Sequence, residues 1–145
     1  MTIKKIACCV DFSENAKGAF QQALEMAETF KAKLYVVHVL PPVVNPVLAD
    51  MDLSWPDEPK KSLILKVEEK IGREYGSMIN TSGVDSELVV LDGHVSSEII
   101  RFLEENRMDL VVVGSYGASG MGLVVFGSVA NRVAHKAPCS VLIVR

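Results

Sequence analysis

The sequence lacks the features that mark membrane-spanning, exported or nucleic-acid-binding proteins. No run reaches the ~18 apolar residues expected of a membrane span, and the net charge over 145 residues is only −3. This small acidic excess gives no reason to expect nucleic acid or an anionic membrane as a partner. A short apolar run follows two lysines near the N-terminus, but Asp11 interrupts it and no small-residue cleavage site is evident. We therefore interpret this run as a strand and not as a signal peptide.

Cysteine is scarce as well. The chain has three cysteines, Cys8, Cys9 and Cys139, and this odd number without an export signal indicates reduced thiols in the cytoplasm. Cys8 and Cys9 lie inside the apolar run. We expect them to be small buried side chains, because a reactive thiol needs an exposed and electropositive setting.

The composition that remains is that of a folded globular protein. Hydrophobic residues make up 49% of the chain and charged residues 23%. A chain of this length is most simply one domain, residues 1–145, which can bury roughly 68–70% of its unfolded surface.

Apolar periodicity predicts strands that alternate with helices. The predicted strands are 3–10, 33–40, 86–91, 108–113 and 140–144. Helices are predicted after an N-cap at Ser13 and over 63–79, 97–106 and 128–136. This alternation favours a Rossmann-like α/β fold, a doubly wound five-stranded parallel sheet with right-handed crossovers. In the order 3-2-1-4-5, the residues after strands one and four would meet at the point where ligands bind in such sheets.

The segment 41–60 differs from the rest of the chain. Five of the six prolines fall between Pro41 and Pro59. Proline removes an N–H donor and fixes φ, so we predict a long surface connection without regular structure. A flap or contact surface that uses Trp55 is the functional alternative.

The stretch 111–130 is the strongest functional signal. Three valines run into Gly114, five of the ten glycines fall between Gly114 and Gly127, and a helix is predicted to start at Ser128. A strand, a glycine-rich loop and a helix start together offer backbone N–H groups to phosphate oxygens. We hypothesise that this loop binds the phosphates of a nucleotide. A flexible connection without a ligand is the alternative.

Two common phosphate-binding motifs do not fit this loop. Ser128 stands where a Walker loop has its lysine, and Val125 stands where the dinucleotide fingerprint that starts at Gly120 has its third glycine. The spacing that fits is Gly114-x2-Gly117-x9-Gly127-Ser128.

This spacing resembles the G-x2-G-x9-G-[S/T] pattern of the ATP-binding universal stress proteins. The resemblance extends over the whole chain, with V-D-F-S after strand one, H-V at the end of strand two, D-G-H before the third helix and A-P-C-S-V-L-I-V at the end. It implies a cytoplasmic, dimeric α/β protein that binds adenine nucleotide and acts in regulation or stress response.

The resemblance also implies a nucleotide site at seven positions: Asp11, Val39, Gly114, Gly117, Gly127, Ser128 and Val129. The Asp11 carboxylate would contact the ribose, and the backbone of Val39 would hydrogen-bond adenine. The first two glycines would let the chain pass close to the phosphates. Residues 127–129 would present N–H groups and a hydroxyl to phosphate oxygens.

The loop carries no positive side chain, since 114–131 contains neither Lys nor Arg. A helix N-terminus offers an anion about 0.3–1 kcal/mol when exposed and about 2 kcal/mol when partly buried, whereas micromolar binding needs about 8 kcal/mol. We therefore expect adenine burial, Asp11 and a Mg²⁺ ion bridging the phosphates of ATP to contribute most. The loop shows no arginine finger, catalytic glutamine or water-orienting base, so we expect no catalytic residue and no enzyme beyond weak ATP hydrolysis.

The last predicted strand suggests a partner. Residues Val141, Leu142, Ile143 and Val144 would form an exposed apolar edge, which folded proteins usually avoid. Pairing two such edges about a two-fold axis removes the exposure, so we expect a homodimer, as the resemblance also implies.

Three other functions stay open. The chain could be a slow ATPase or nucleotide-transferring enzyme, or a stress protein that acts by contact with an unidentified protein and binds no nucleotide. A receiver domain could use Asp92 as its phosphoacceptor. However, Asp11 has no acidic neighbour, and the last strand ends in Arg145 without the usual lysine.

Overall fold

Strands and helices alternate in the computed structural model, which describes residues 2–40, 57–115 and 127–145. The strands are β1 Lys5–Cys9, β2 Lys33–Leu40, β3 Ser86–Asp92, β4 Leu110–Gly114 and β5 Ser140–Val144. The helices are α1 Glu14–Phe30, α2 Asp57–Ser82, α3 Val95–Glu105 and α4 Ser128–Lys136. Within these ranges no helix is both long and apolar enough to cross a membrane.

The five strands form one parallel sheet in the order β3-β2-β1-β4-β5. This order confirms the predicted doubly wound fold. The strand order reverses between β1 and β4, which pair from Ile6 with Leu110 to Cys8 with Val112. Residues that follow these two strands therefore emerge side by side, as the sequence predicted.

Helices cover both faces of the sheet. α1 and α2 pack on the face that includes Ile6 and Cys8, whereas α3 and α4 pack on the face that includes Ala7. Successive strand side chains point to opposite faces. Residues 6–8 of β1 and 110–113 of β4 are therefore all apolar, because both faces of the sheet are buried there.

The start of α1 follows the sequence prediction. Ser13 has an extended backbone (φ −81°, ψ 163°), and its hydroxyl accepts a hydrogen bond from the Ala16 N–H at 3.2 Å. This is the side-chain cap expected of a serine at this position.

The start of α2 differs from the sequence prediction. The helix begins at Asp57, so the last four residues of the predicted connection 41–60 are helical. Pro59 lies in the first turn, where a missing N–H costs no intrahelical hydrogen bond. Residues 41–56, with Trp55, lie outside the described residues.

Gly114 lies where β4 meets the start of α1. A Cβ atom on Gly114 would lie 3.0 Å from the Asn15 Cβ and 3.1 Å from the Asn15 carbonyl carbon and oxygen. These are the Cβ and backbone atoms of a helical residue, which cannot move aside as the far end of a flexible side chain can. The close packing of α1 against β4 therefore favours glycine here, a reason distinct from the predicted approach to phosphate.

We predict that Gly114→Ala destabilises the protein by about 1–3 kcal/mol through this overlap. Gly72→Ala is the matched control. A Cβ on Gly72 in α2 would meet no atom within 4 Å, so this change should stabilise the helix by about 0.5–1 kcal/mol. Urea denaturation of both variants measures the difference. Equal stability of Gly114→Ala and the wild type would contradict the packing role.

Candidate functional site

A cavity of about 390 Å³ lies beyond the carboxyl ends of β1, β2 and β4. The first turn of α4 forms one wall, and Val95 and Ile99 of α3 contribute to another. Small-molecule sites commonly enclose about 300–1,000 Å³ and occur at the switch point of doubly wound sheets. The cavity has the size and the position of a ligand site.

The cavity brings together most of the predicted site residues. Six of the seven contribute to its wall: Asp11, Val39, Gly114, Gly127, Ser128 and Val129. Gly117, the seventh, lies outside the described residues, as do Met121 to Phe126. Three distant parts of the sequence therefore converge on one space.

Asp11 is held in a turn that joins β1 to α1. Its Oδ1 accepts hydrogen bonds from the Ser13 N–H at 3.0 Å and the Ser13 hydroxyl at 2.5 Å. The carboxylate thus supports the start of α1 while it lines the cavity. A carboxylate offers about four acceptor positions, so this structural role is compatible with an additional contact to a ribose hydroxyl.

Phe12 and His38 secure this turn against β2. Phe12 has a positive φ of 65°, and its ring centroid lies 5.0 Å from that of His38. The Lys70 Nζ lies 4.1 Å from the Phe12 ring centroid. Nδ1 of His38 lies 2.7 Å from the Val10 carbonyl oxygen and must donate the hydrogen bond, since a carbonyl oxygen only accepts. His38 therefore has a structural role beside the cavity.

The backbone of Val39 faces the gap beyond the end of β1. The Val10 N–H donates to the Val37 carbonyl at 2.9 Å, so the peptide groups of Val37 face β1. Peptide groups in a parallel strand point to the same side at every second residue, so Val39 also faces that side. Pairing between β1 and β2 has its last Cα partners at Cys9 and Val37. One donor and one acceptor of Val39 therefore point toward the cavity region.

The first turn of α4 supplies N–H donors. Gly127 is the N-cap and no side chain caps the helix. The first intrahelical bond runs from the Asn131 N–H to the Gly127 carbonyl at 2.9 Å. The N–H groups of residues 128–130 therefore have no intrahelical partner. They form a suitable binding site for an anion.

Gly127 differs from its predicted role. Its N–H donates to the Ser115 carbonyl oxygen at 2.5 Å, so in this structure it does not face a phosphate position. The first N–H group of this helix start that can bind an anion is therefore that of Ser128. The sequence pattern identifies the helix start but cannot reveal this loop-closing bond, which depends on the position of Ser115.

Sequence reasoning missed Ser115. This residue follows Gly114, is 3% exposed and contributes to the cavity wall. Its hydroxyl has no hydrogen-bond partner within 2–40, 57–115 and 127–145. A polar side chain placed directly after a buried strand was the available sequence signal.

Asp92 is placed unfavourably for a receiver domain. It ends β3, and β2 separates β3 from β1. Neighbouring strands lie about 4.8 Å apart, so Asp92 and Asp11 emerge roughly 10 Å apart and do not form the adjacent acidic site that a receiver requires.

Comparison with known proteins identifies the family. The model described as "Universal stress protein family" matches residues 2–145. The chain belongs to the universal stress protein family. A universal stress protein of Methanocaldococcus jannaschii is 31% identical over 150 residues, which cover 98% of this chain and 82% of that relative.

Solved structures share the fold of this universal stress protein. UspA from Lactobacillus plantarum matches with a TM-score of 0.81 at 22% identity, and the match covers 100% of this chain and 99% of that one. The universal stress protein from Archaeoglobus fulgidus, solved in complex with dAMP, matches with a TM-score of 0.69 at 25% identity over 100% of both chains.

Cys9 contributes a thiol to the cavity wall. Burial, and to a lesser extent the nearby Asp11 carboxylate and Cys139, raise the pKa of Cys9 to about 12. The thiol therefore stays protonated at neutral pH. Cys8 is buried, as the sequence predicts, whereas Cys9 is only partly buried because it borders the cavity.

We predict that Cys9 reacts with iodoacetamide at pH 8 more slowly than a free cysteine by at least about a hundredfold, because only the thiolate is nucleophilic. Mass spectrometry of tryptic peptides over time measures the rate, and a short cysteine peptide in the same tube provides the reference. Labelling of Cys9 at the rate of that peptide would contradict the protonated state of its thiol.

Proposed function

We propose that this universal stress protein is an ATP-binding regulatory module that acts as a homodimer. The observation that carries the proposal is the convergence of Asp11, Val39 and the first turn of α4 on one cavity. The A. fulgidus relative solved with dAMP supports an adenine nucleotide as the ligand.

The proposed adenine position combines an apolar wall with the backbone of Val39. The side chains that line this part are mostly aliphatic: Val37, Val39, Val95, Ile99 and Val113. Adenine has a flat apolar face, and its edge carries one donor and one acceptor side by side. The N–H and C=O of Val39 match that edge, so burial supplies free energy and the backbone supplies specificity.

The proposed phosphate position lies at the start of α4. The N–H groups of 128–130 and the Ser128 hydroxyl would donate to phosphate oxygens. Asp11 is the only carboxylate among the described residues that line the cavity. We therefore propose that Mg²⁺ enters bound to the phosphates, rather than through a set of protein ligands.

We propose that bound ATP is retained rather than rapidly hydrolysed. The cavity wall, as far as it is described, contains no arginine, lysine or glutamine. Of its two possible bases, His38 is held by the Val10 carbonyl, and the Asp11 carboxylate, which already binds Ser13, is assigned to the ribose. Fast phosphoryl transfer needs positive charge on the phosphates and a group that orients water.

The test of this function begins with freshly purified protein. We expect denaturation to release ATP identifiable by mass, and calorimetry on nucleotide-free protein to show binding of ATP with Mg²⁺. Release of ADP alone would favour a slow ATPase. Absence of both release and binding would contradict the proposal and favour action by protein contact.

Two proline variants, measured by the same calorimetry, test where the phosphates bind. Ser128→Pro removes the first N–H of α4 and a hydroxyl. The preceding Gly127 is extended (φ −56°, ψ 160°), a backbone that proline at the first helical position accepts. We expect ATP affinity to fall at least about tenfold. Glu14→Pro makes the same change at the start of α1, after the equally extended Ser13, and should leave affinity unchanged. Equal affinities of the two variants would contradict the phosphate position.

The homodimer is proposed to form through β5. Among the described strands, β5 pairs with β4 alone. The Ser115 N–H donates to the Val144 carbonyl at 2.8 Å, so Val144 and Leu142 face β4. By alternation, the peptide groups of Val141 and Ile143 face the outer edge, where a second copy can pair with them.

We predict that Val141→Pro converts the dimer to a monomer, because it removes an outward N–H without breaking the pairing with β4. Leu88→Pro is the control on the opposite edge. The Leu34 N–H donates to the Asp85 carbonyl, so alternation turns the Leu88 N–H outward from β3. We expect this variant to stay dimeric. Light scattering at micromolar concentration measures both, and a dimeric Val141→Pro would contradict the β5 interface.

Two further parts of the proposal concern the location of the protein in the cell and its protein partner. Cys8, Cys9 and Cys139 are free thiols, which suits the reducing cytoplasm that we propose as the location. We also propose that an unidentified protein partner recognises the nucleotide-bound dimer.

A further inference from the structure

Phe12 has an unusual backbone conformation beside the cavity. Among the described non-glycine residues, only Phe12, Lys31 and Arg107 have a positive φ. Lys31 and Arg107 lie just after α1 and α3, where a left-handed residue commonly ends a helix. Phe12 instead lies in the turn before α1, between Asp11 and the Ser13 cap. The usual reason for a positive φ therefore does not apply to Phe12.

This conformation costs free energy that a glycine would avoid. At a φ of 65° the Cβ atom of a bulky residue comes too close to a backbone carbonyl oxygen, whereas glycine adopts such an angle freely. A strained residue persists only where surrounding contacts hold it, and such residues cluster at functional sites. The ring of Phe12 therefore supplies something that a glycine at this position could not.

The Phe12 ring is held by two elements that are distant in sequence. Its centroid lies 5.0 Å from the ring centroid of His38 in β2 and 4.1 Å from the Nζ of Lys70 in α2. Both distances suit favourable aromatic and cation–π contacts. The ring also packs against the core beneath α1 and α2. The turn after β1 is thereby fastened to β2 and to α2.

His38 is itself fixed, so it forms a rigid support for this ring. Its Nδ1 donates to the Val10 carbonyl oxygen at 2.7 Å, and the Val10 N–H donates to the Val37 carbonyl at 2.9 Å. Both backbone polar groups of Val10 are therefore bonded to β2. Asp11 follows Val10 and lines the cavity. Its carboxylate projects from a segment that is held at Val10 on one side and at Phe12 on the other.

We propose that Phe12 is a positioning residue for Asp11. Its ring, clamped between His38 and Lys70, holds the turn that directs the carboxylate to a ribose hydroxyl of the bound nucleotide. The proposal rests on the nucleotide-binding function proposed above. It gives a role to Lys70 of α2, a helix that contributes no described residue to the cavity wall. Without the ring contacts, Phe12 would relax to a negative φ and the carboxylate would point elsewhere.

The test measures how strongly the protein prefers ATP to its 2′,3′-dideoxy analogue, which lacks both ribose hydroxyls. Calorimetry with Mg²⁺ gives the ratio of the two dissociation constants. We expect the wild type to prefer ATP at least about tenfold, because a hydrogen bond to a carboxylate is a strong one. Asp11→Ala should abolish this preference, and Phe12→Gly should abolish most of it although glycine accepts the backbone angle. Phe12→Tyr, which keeps the ring, should retain it.

Variants of two lysines test the contact from α2. Lys70→Gln removes the cation above the Phe12 ring and should lower the preference, whereas Lys70→Arg keeps a cation and should preserve it. Lys66→Gln is the matched control. Lys66 is exposed one turn earlier in α2 and makes no ion pair or ring contact within the described residues. This variant should bind both nucleotides as the wild type does.

The outcomes separate this inference from the proposed function. A wild type that binds neither nucleotide would overturn both. A wild type that binds both nucleotides equally, or a Phe12→Gly variant with the full preference, would overturn the inference and leave the function standing. Equal loss of affinity for both nucleotides in Phe12→Gly would show a purely structural role and would also overturn it.

A double variant tests whether Phe12 acts through Asp11. When Asp11 is already alanine, Phe12→Gly should not weaken ATP binding further, because the carboxylate that the ring positions is gone. A further loss of affinity in the double variant would show that Phe12 acts independently of Asp11 and would overturn the inference.

Discussion

The parallel pairing of β1 with β4 is the interaction on which the rest of the structure depends. It joins β2 and β3 on one side of the sheet to β5 on the other. α1 follows β1 onto one face, whereas α4 packs on the opposite face. Chains that leave two adjacent strands toward opposite faces open a crevice between them. The cavity is this crevice, and its position follows from strand order alone.

The two ends of the cavity have different chemistry. At one end, aliphatic side chains and the backbone of Val39 suit an adenine ring. At the other end, the uncapped start of α4 suits phosphates. Asp11 has a structural role as well as a place in the cavity wall, since its carboxylate accepts a hydrogen bond from the Ser13 N–H at the start of α1. Most polar groups at these two ends are backbone groups held by the fold, so the proposed binding would depend on the sheet and on α4 more than on charged side chains.

Local signals predicted much of the fold. The bounds of β2, β5 and α4 agree with the structure because apolar runs and Pro138 define them in the sequence. The Ser13 cap is likewise a short-range feature. The strand order was chosen as one consistent with general rules for alternating strands and helices, and the six predicted site positions that line the cavity were carried over from the family resemblance.

Features that depend on distant contacts could not be predicted in this way. The need for glycine at 114 comes from Asn15, and the engagement of the Gly127 N–H comes from Ser115. The start of α2 at Asp57 was wrongly placed because proline content was taken to exclude a helix, although a first turn accepts proline.

The measurement that tests the account most directly is a crystal structure of the protein with Mg²⁺–ATP. The account predicts adenine against the Val39 backbone and phosphates at the first turn of α4. Nucleotide bound elsewhere, or side chains filling the cavity, would contradict it.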